Sequence, residues 1–305
     1  MSDKLLILGI GGLTGLKMSY LAKDDFDLFG SYNLRNPELD FMKSINLDIT
    51  DTNSLEKLFK EIKPSFVVNT IALSNVDYCE QFPTESSKLN VDFVKNLFNI
   101  SKKFSTKIIH LSSDSVYDGT KKSPYVETDD PNPINVYGNS KLLSEKIILQ
   151  NPSNLIVRAS VLYGWLPKNI AFLESSSKKP NNFSQWLIKK LQNNENVKII
   201  TDEFSSPIIS EDFARSILHL IKNNCSGIFH SAPSIDISRY DFSIKLANYL
   251  NLDSRLIEPV KISELGRNVK TGNNKSLDSS KLELTGFKFL NLDESFELLK
   301  NQLSD

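Results

Sequence analysis

Tyr137 and Lys141 stand four residues apart in Tyr137-Gly138-Asn139-Ser140-Lys141, a spacing that puts a phenol and an ammonium on one face of a helix. A phenol with an ordinary pKa of about 10 is a poor acid or base near neutrality, and a nearby cation that stabilises phenolate lowers that value. A third polar group belongs with them. The run His110-Leu111-Ser112-Ser113-Asp114 closes an apolar segment with hydroxyls, and Ser113 at such an edge could hold a substrate carbonyl. Together the three residues read as an acid–base device acting on a carbonyl group.

A second constellation lies near the N-terminus, where Gly9-Ile10-Gly11-Gly12-Leu13-Thr14-Gly15 places glycines at 9, 12 and 15 directly after an apolar strand and before a helix. A tight strand-to-helix turn needs positive φ, and a diphosphate approaching the backbone leaves no room for a Cβ. The exposed amides of the helix N-terminus favour its negative charge. This turn predicts a dinucleotide site with Gly9, Gly11, Gly12, Leu13 and Gly15 against the diphosphate. The next strand ends in Ser31-Tyr32-Asn33-Leu34-Arg35, with no carboxylate to receive a ribose 2′-hydroxyl. Arg35 is placed to pair with a 2′-phosphate, so NADP(H) is favoured and NAD(H) is the alternative, with Asn33 beside it. Asp48, with Ile49 in Leu47-Asp48-Ile49, follows the third strand and is a candidate for the adenine amino group.

The elements that must position these residues follow from periodicity. Leu5 to Leu8, Leu28 to Tyr32, Phe66 to Ile71, Lys107 to Ser112 and Leu155 to Ala159 are short apolar runs that predict buried strands. Helical spacing fills the gaps: Ser54 to Ile62 follows the capping candidates Asp51 to Asn53 and stops before Pro64, and Val91 to Phe98 repeats the pattern. Strands alternating with such helices require crossover connections, which predicts an α/β fold: a Rossmann-like doubly wound parallel sheet. A polar loop is expected at Ser175 to Asn182. Beyond it lie a helix at Phe183 to Gln192, a strand at Val197 to Thr201, a helix at Glu211 to Lys222 and a strand at Gly227 to His230. Final helices are expected at Arg239 to Leu250 and Asp293 to Leu303. The expected division is a nucleotide-binding domain over 1–160 plus about 211–235, and a smaller mixed α/β substrate lobe from about 161–210 and 236–305.

Composition narrows the function classes. The 305 residues carry 36 Lys and Arg against 37 Asp and Glu, a formal net charge of −1, which removes the electrostatic argument for a nucleic-acid or membrane-surface partner. No apolar run reaches the roughly 20 residues of a spanning helix, and the first residues lack a signal-peptide layout, so a cytoplasmic location is expected. Cys79 and Cys225 form no CxxC pair and the three histidines are scattered, so no metal site is expected.

The combined motifs resemble the extended short-chain dehydrogenases/reductases, and within them the dTDP-4-dehydrorhamnose reductase group, which includes the regulatory β subunit of methionine adenosyltransferase. The resemblance is carried by the three glycines, Asn69-Thr70-Ile71-Ala72, Val76 to Glu80, Leu89-Asn90-Val91, Ser112 to Gly119, Pro124-Tyr125, Glu127 and Tyr137 to Lys141. It continues through Arg158, Leu162-Tyr163-Gly164, Asp212, Gly227 with His230, and Leu277-Asp278 with Lys281. It implies a reductase of a nucleotide-linked 4-keto sugar in deoxysugar or polysaccharide biosynthesis, in which hydride comes from the nicotinamide. Ser113 would orient the carbonyl, Tyr137 would donate the proton, and Lys141 would tune Tyr137 and hold the nicotinamide ribose. Ile71, Ala72, Leu73 and Asn90 would also touch the cofactor, while Ser74, Asp114, Tyr163 and Arg267 would meet the substrate. A homodimer is compatible with the resemblance.

The second half departs from the family pattern. Val161 stands where an aromatic is usual, the Gly-Ser-Pro-Thr stretch reads Ser205-Ser206-Pro207-Ile208, and Thr271-Gly272 replaces an Arg-Pro pair. The lost arginine would normally neutralise a diphosphate, a task left to Arg267, Lys270 or Lys275. Trp165 and Trp186 could stack on a base or sugar, though large aromatics more often pack in a core. Two alternatives accompany the reductase: an NADP-binding regulatory subunit without catalysis, and a sugar-nucleotide epimerase or dehydratase. Ser115, where dehydratases carry a second carboxylate, argues against dehydration.

Overall fold

A computed structural model describes residues 3–167, 170, 182–266 and 269–303. Strands β1 (Lys4–Leu8), β2 (Asp27–Tyr32), β3 (Lys43–Asn46), β4 (Phe66–Asn69), β5 (Lys107–Ser113) and β6 (Leu155–Ala159) lie in one sheet. The short strands β7 (Leu162–Tyr163), β8 (Val197–Ile200), β9 (Phe204–Ser205) and β10 (Ile208–Ile209) follow, after which β11 (Gly227–Ser231) returns to that sheet. Its order is β11-β6-β5-β4-β1-β2-β3, and its neighbouring strands pair in parallel. This is a doubly wound arrangement, with the order in which strands are added reversing between β1 and β4.

The predicted strands are present within two residues at each end. The edge strand β3 reads Lys-Ser-Ile-Asn and is exposed or half-buried throughout, so it lacks the apolar run that marks a buried strand. Along β1 the side chains alternate. Leu5 and Ile7 enter a core shared with α1 (Leu13–Ala22) and α8 (Ser210–Lys222), whereas Leu6 and Leu8 face α2 (Thr52–Ile62) and α5 (Phe93–Lys103). Asp51 caps α2 by accepting from the amides of Asn53 and Ser54, as its sequence position implied. The Val91–Phe98 expectation is shifted: a π turn at Lys88–Asp92 leads into α5, which continues to Lys103 because Ile100 and Ser101 are also buried.

Between β4 and α5 lie the short helices α3 (Val76–Gln81) and α4 (Pro83–Ser87), and β5 is followed by a long loop into α6 (Val136–Ile148). The second half builds its own core. There α7 (Phe183–Gln192), α9 (Arg239–Tyr249) and α11 (Leu292–Leu303) pack Leu187, Ile188, Phe242, Leu246, Phe296 and Leu299 against Val197 and Ile199 of β8. Strand β12 (Ile237–Ser238) pairs antiparallel with β9, and β13 (Ile257–Val260) pairs parallel with β8; α10 (Ser280–Glu283) sits near β11. Positions 175–181 of the expected polar loop lie outside the described residues, while Asn182 accepts the Gln185 amide and caps α7. No helix among the described residues is long and apolar enough to cross a membrane.

Helix α6 carries Tyr137 and Lys141, and three interactions fix it. Its cap Asn135 accepts from the Gly138 amide at 2.8 Å and donates from Nδ2 to the Lys270 carbonyl at 3.1 Å. Glu80 of α3 accepts from the Val136 amide at 3.0 Å. Near the far end, Glu145 receives two bonds from Arg158 of β6, at 2.9 and 2.7 Å, with both side chains about as buried as any in the molecule. Arg158 also donates to the Tyr117 hydroxyl at 2.7 Å, and that hydroxyl lies 2.9 Å from His230 Nε2 on β11. Breaking a buried pair by removing one partner strands the other charge. Glu145→Gln is therefore expected to lower unfolding free energy by about 3 kcal/mol, read as a lower urea midpoint at unchanged slope.

Candidate cofactor and catalytic site

The glycine turn forms because the end of β1 is stapled to β2: the amides of Gly9 and Ile10 both donate to the Ser31 carbonyl, at 3.0 and 2.9 Å. Gly9 takes a positive φ of 96°, which glycine adopts without strain. A Cβ on Gly15 would sit 2.3 Å from the Gly9 carbonyl, and one on Gly11 would sit 2.4 Å from the Arg35 carbonyl. Those two glycines are required by the protein's own packing. Gly12 is different: its Cβ would meet only the Gly9 carbonyl, at an ordinary 3.4 Å. It caps α1, a helix with no side-chain cap bond and no acidic residue in its first turn. A small residue, an uncapped helix start and open space above it fit a bound diphosphate.

Arg35 lies over this turn, its Nη1 3.4 Å from the Gly11 carbonyl, and partial burial pulls its pKa down. Asn33 is exposed, with its carbonyl accepting from Asn46. Asp48 is exposed too, and its carboxylate accepts from the amide and hydroxyl of Thr50 at 2.9 and 2.8 Å, while Ile49 is buried beneath. After β4 the chain passes through Ile71, Ala72 and Leu73. Asn90 clamps that segment, accepting from the Leu73 amide at 2.8 Å and donating to its carbonyl at 3.1 Å and to Ser140 of α6 at 2.9 Å. Asn90 thus positions the backbone that borders the cleft, with its side chain 1% exposed. Ser74, next along, is half-buried before α3.

Ser113, Tyr137 and Lys141 converge at the C-terminal edge of the sheet. Burial drives the Tyr137 phenol well above its ordinary pKa; the adjacent Ser113 hydroxyl opposes that rise and the Asp114 charge adds to it. Lys141 is 2% exposed, and burial brings its pKa down to about 8. Its Nζ donates to the Leu111 carbonyl at 2.5 Å and lies 3.2 Å from His110 Nε2. The sequence predicts the ammonium acting on the phenol; in the structure the influences on Tyr137 are desolvation first, then Ser113, Asp114 and Cys79.

The candidate substrate residues fare less evenly. The buried Asp114 carboxylate accepts from Ser113 and Ser115 at 3.0 and 3.2 Å and from Ser160 at 3.0 Å, so its oxygens are engaged in holding the Ser113 turn. Tyr163 does not reach the site: its ring packs in the second-lobe core and its hydroxyl donates to Ser295 at 2.6 Å. Trp165 is buried in that core as well, and Trp186 lies partly exposed beside Phe183. Arg267 lies outside the described residues. The Thr271-Gly272 departure has a steric reason: a Cβ on Gly272 would fall 2.1 Å from the Asp118 carbonyl, and one on Gly119 would fall 2.4 Å from Gly272 Cα. The two glycines pack back to back beside the cleft.

The sequence offered Asn69 and His110 only as members of motifs, without a role, and did not single out Ser144 or Ser160. A histidine inside an apolar strand, two positions before the hydroxyl pair, was a usable signal. So was Glu145, four residues beyond Lys141 on a helix face that turns inward.

A doubly wound sheet with a glycine turn at its first crossover and a Ser, Tyr and Lys set at its C-terminal edge defines an extended short-chain dehydrogenase/reductase architecture. The chain belongs to the RmlD substrate-binding domain family, whose model matches residues 3–303. It is 30% identical to the probable low-salt glycan biosynthesis reductase Agl14 of Haloferax volcanii over 279 residues, covering 91% of this chain and 90% of that one. It is 28% identical to methionine adenosyltransferase 2 subunit beta of Xenopus laevis, covering 93% and 83% respectively. Among solved structures, a dTDP-4-dehydrorhamnose reductase from Bacillus anthracis in complex with NADP superimposes with a TM-score of 0.84 at 24% identity, covering 98% of this chain and 99% of that one.

The glycine geometry separates folding from binding. Gly15→Ala is expected to destabilise the fold measurably. Gly12→Ala is expected to keep its unfolding free energy within about 0.5 kcal/mol, yet weaken nicotinamide dinucleotide binding by about tenfold or more, as measured by titration calorimetry.

Proposed function

We propose that this protein is an NADP(H)-preferring reductase of a nucleotide-linked 4-keto sugar. The observation that carries this reading is the convergence of Ser113, Tyr137 and Lys141 beside a glycine turn with space reserved at Gly12. The reductase names of family relatives support it. In this reading 1–160 with about 211–235 hold the cofactor, and 161–210 with 236–305 form the substrate lobe.

The residues present suit the cofactor. Gly9 to Gly15 and the start of α1 would hold the diphosphate, Arg35 the 2′-phosphate, and the Ile71–Leu73 segment clamped by Asn90 would border the ribose. When bound, the nicotinamide supplies the reducing equivalent. The chain's own part is proton chemistry at the carbonyl oxygen. Ser113, braced through Asp114 and Ser160, orients that oxygen by hydrogen bonding. Tyr137, kept protonated by its burial, donates its phenolic proton as negative charge grows there. Lys141 offers ammonium protons to ribose hydroxyls and offsets the phenolate left behind.

A second reading, a cofactor-binding regulatory subunit, draws on the similarity to methionine adenosyltransferase 2 subunit beta and on Thr271 standing where the family has an arginine, beside the Gly119–Gly272 contact. NADPH oxidation with a panel of nucleotide-linked 4-keto sugars separates the two. The reductase reading expects turnover with at least one sugar and a loss of about 10²- to 10⁴-fold in Tyr137→Phe. The regulatory reading expects normal NADPH binding with no sugar reduced. For cofactor choice, Arg35→Ala is expected to weaken NADPH binding about tenfold or more while leaving NADH within about threefold; equal losses for both would remove the 2′-phosphate assignment.

A further inference from the structure

Behind Lys141 lies a fully buried chain of polar groups whose hydrogens can be assigned. The Asn69 amide is oriented by the Ile71 backbone N–H, which donates to its Oδ1 at 3.0 Å, so its Nδ2 must be the group 3.1 Å from His110 Nδ1. That contact makes His110 Nδ1 an acceptor and leaves the ring proton on Nε2. The Ser144 hydroxyl, 3.0 Å from Nε2, already donates to the Lys141 carbonyl at 2.7 Å and so accepts from the imidazole. The Lys141 nitrogen, 3.2 Å from the same Nε2, therefore faces an N–H and not a lone pair.

We propose that His110 is a positioning residue for Lys141: locked by Asn69 with its proton on Nε2, the imidazole denies the lysine nitrogen an acceptor. The ammonium's protons are thereby sent to the Leu111 carbonyl and toward the cleft. This rests on the reading that Lys141 serves the bound dinucleotide. An N–H against an ammonium is unfavourable, whereas an N–H against a neutral amine is a hydrogen bond, so the arrangement favours the uncharged lysine. Burial acts in the same direction on Lys141, and together with the Lys141 charge it holds the imidazole well below its usual pKa, hence neutral. Of the other charged or titratable groups packed around α6, Glu145 pulls the lysine pKa upward while itself held by Arg158 of β6. Asp114, beyond β5, and Cys79 of α3 act on Tyr137. Asn69 stands two residues before Ile71, so the chain also links the segment bordering the cofactor to the catalytic helix.

The test reads Lys141 directly. In protein labelled with ¹³Cε-lysine, the Lys141 resonance is assigned by its absence in Lys141→Met, and its titration is followed from pH 6 to 11. The wild-type midpoint is expected near 8. His110→Leu removes the N–H and should raise the midpoint by roughly half to one pH unit. His110→Gln keeps a donor at the ε position and should stay near the wild-type value. Ser144→Ala frees the N–H for the lysine and should lower the midpoint. A midpoint unmoved in His110→Leu, or Gln and Leu variants that shift alike, overturns the proposal; should the Leu variant not fold, an upward shift in Ser144→Ala does the same. Because the midpoint is measured without substrate, a failure to reduce any sugar would sink the enzymatic reading while leaving this result standing.

Linkage gives a second consequence. Since Lys141 releases its proton near pH 8 when folded and near 10.4 when unfolded, the unfolded chain binds more protons between those values, and stability attributable to this residue rises with pH across that window. Lys141→Met should therefore be more stable than wild type at pH 7, with the difference shrinking by pH 10 in urea titrations.

Discussion

The position of α6 against β5 and β6 is the constraint on which the site depends, and the buried Glu145–Arg158 pair is its principal anchor. A single helical turn separates Glu145 from Lys141, and another separates Lys141 from Tyr137, so any rotation that loosened the ion pair would swing both out of the cleft. The desolvation penalty of such a pair is large, and it is offset here by bidentate geometry and by the Tyr117 hydroxyl as a further partner for Arg158. At the other end Asn135 and Glu80 satisfy the first amides of the helix. Anchored at both ends, α6 holds its polar residues in a dry environment, where Ser140, Lys141 and Ser144 add bonds to Asn90, Leu111 and His110.

That environment explains why pKa shifts at the site run opposite to simple pairing. Tyr137 moves up and Lys141 moves down, each toward its neutral form, because removal from water penalises charge whichever sign it carries. With its pKa near 8, Lys141 still carries its proton at pH 7 but gives it up far more readily than an exposed lysine. The charges that matter to catalysis are then those brought or created by the ligands, against which fixed dipoles such as the His110 N–H and the Leu111 carbonyl are already aligned.

How much of this could be read from the chain depended on whether the signal was local. The strands β1, β2, β4, β5 and β6 declare themselves as apolar runs, the cap of α2 is a side chain at a fixed offset, and the glycine turn combines three spacing requirements in seven residues. The pair Tyr137 and Lys141 was legible for the same reason. The Asn69–His110–Ser144 chain was not, because its members come from β4, β5 and α6 and meet only through sheet register, Asn69 being paired with His110 across β4 and β5. Tyr163 failed as a site residue for a related cause: a tyrosine's polar tip says nothing about where its ring is buried, and Ser295, its partner, is 132 residues away. Strand β3 was expected before Asp48 but carried no apolar run to give its bounds, because an edge strand exposed to solvent needs no apolar sequence.

The back-to-back contact of Gly119 and Gly272 has implications for the diversity of this fold. Because a side chain on either would strike the backbone of the other segment, the loop after β5 and the segment leading into Leu277 share one path through space and cannot be altered independently. A change at this contact would have to come as a coordinated exchange in both segments, and β9 is tied to the same stretch, the Phe204 amide donating to the Asn273 carbonyl at 2.7 Å and the Lys275 amide to the Phe204 carbonyl at 3.1 Å. The loop after β5, the segment before Leu277 and β9 thus form one block of backbone that substitutions cannot reshape piecemeal.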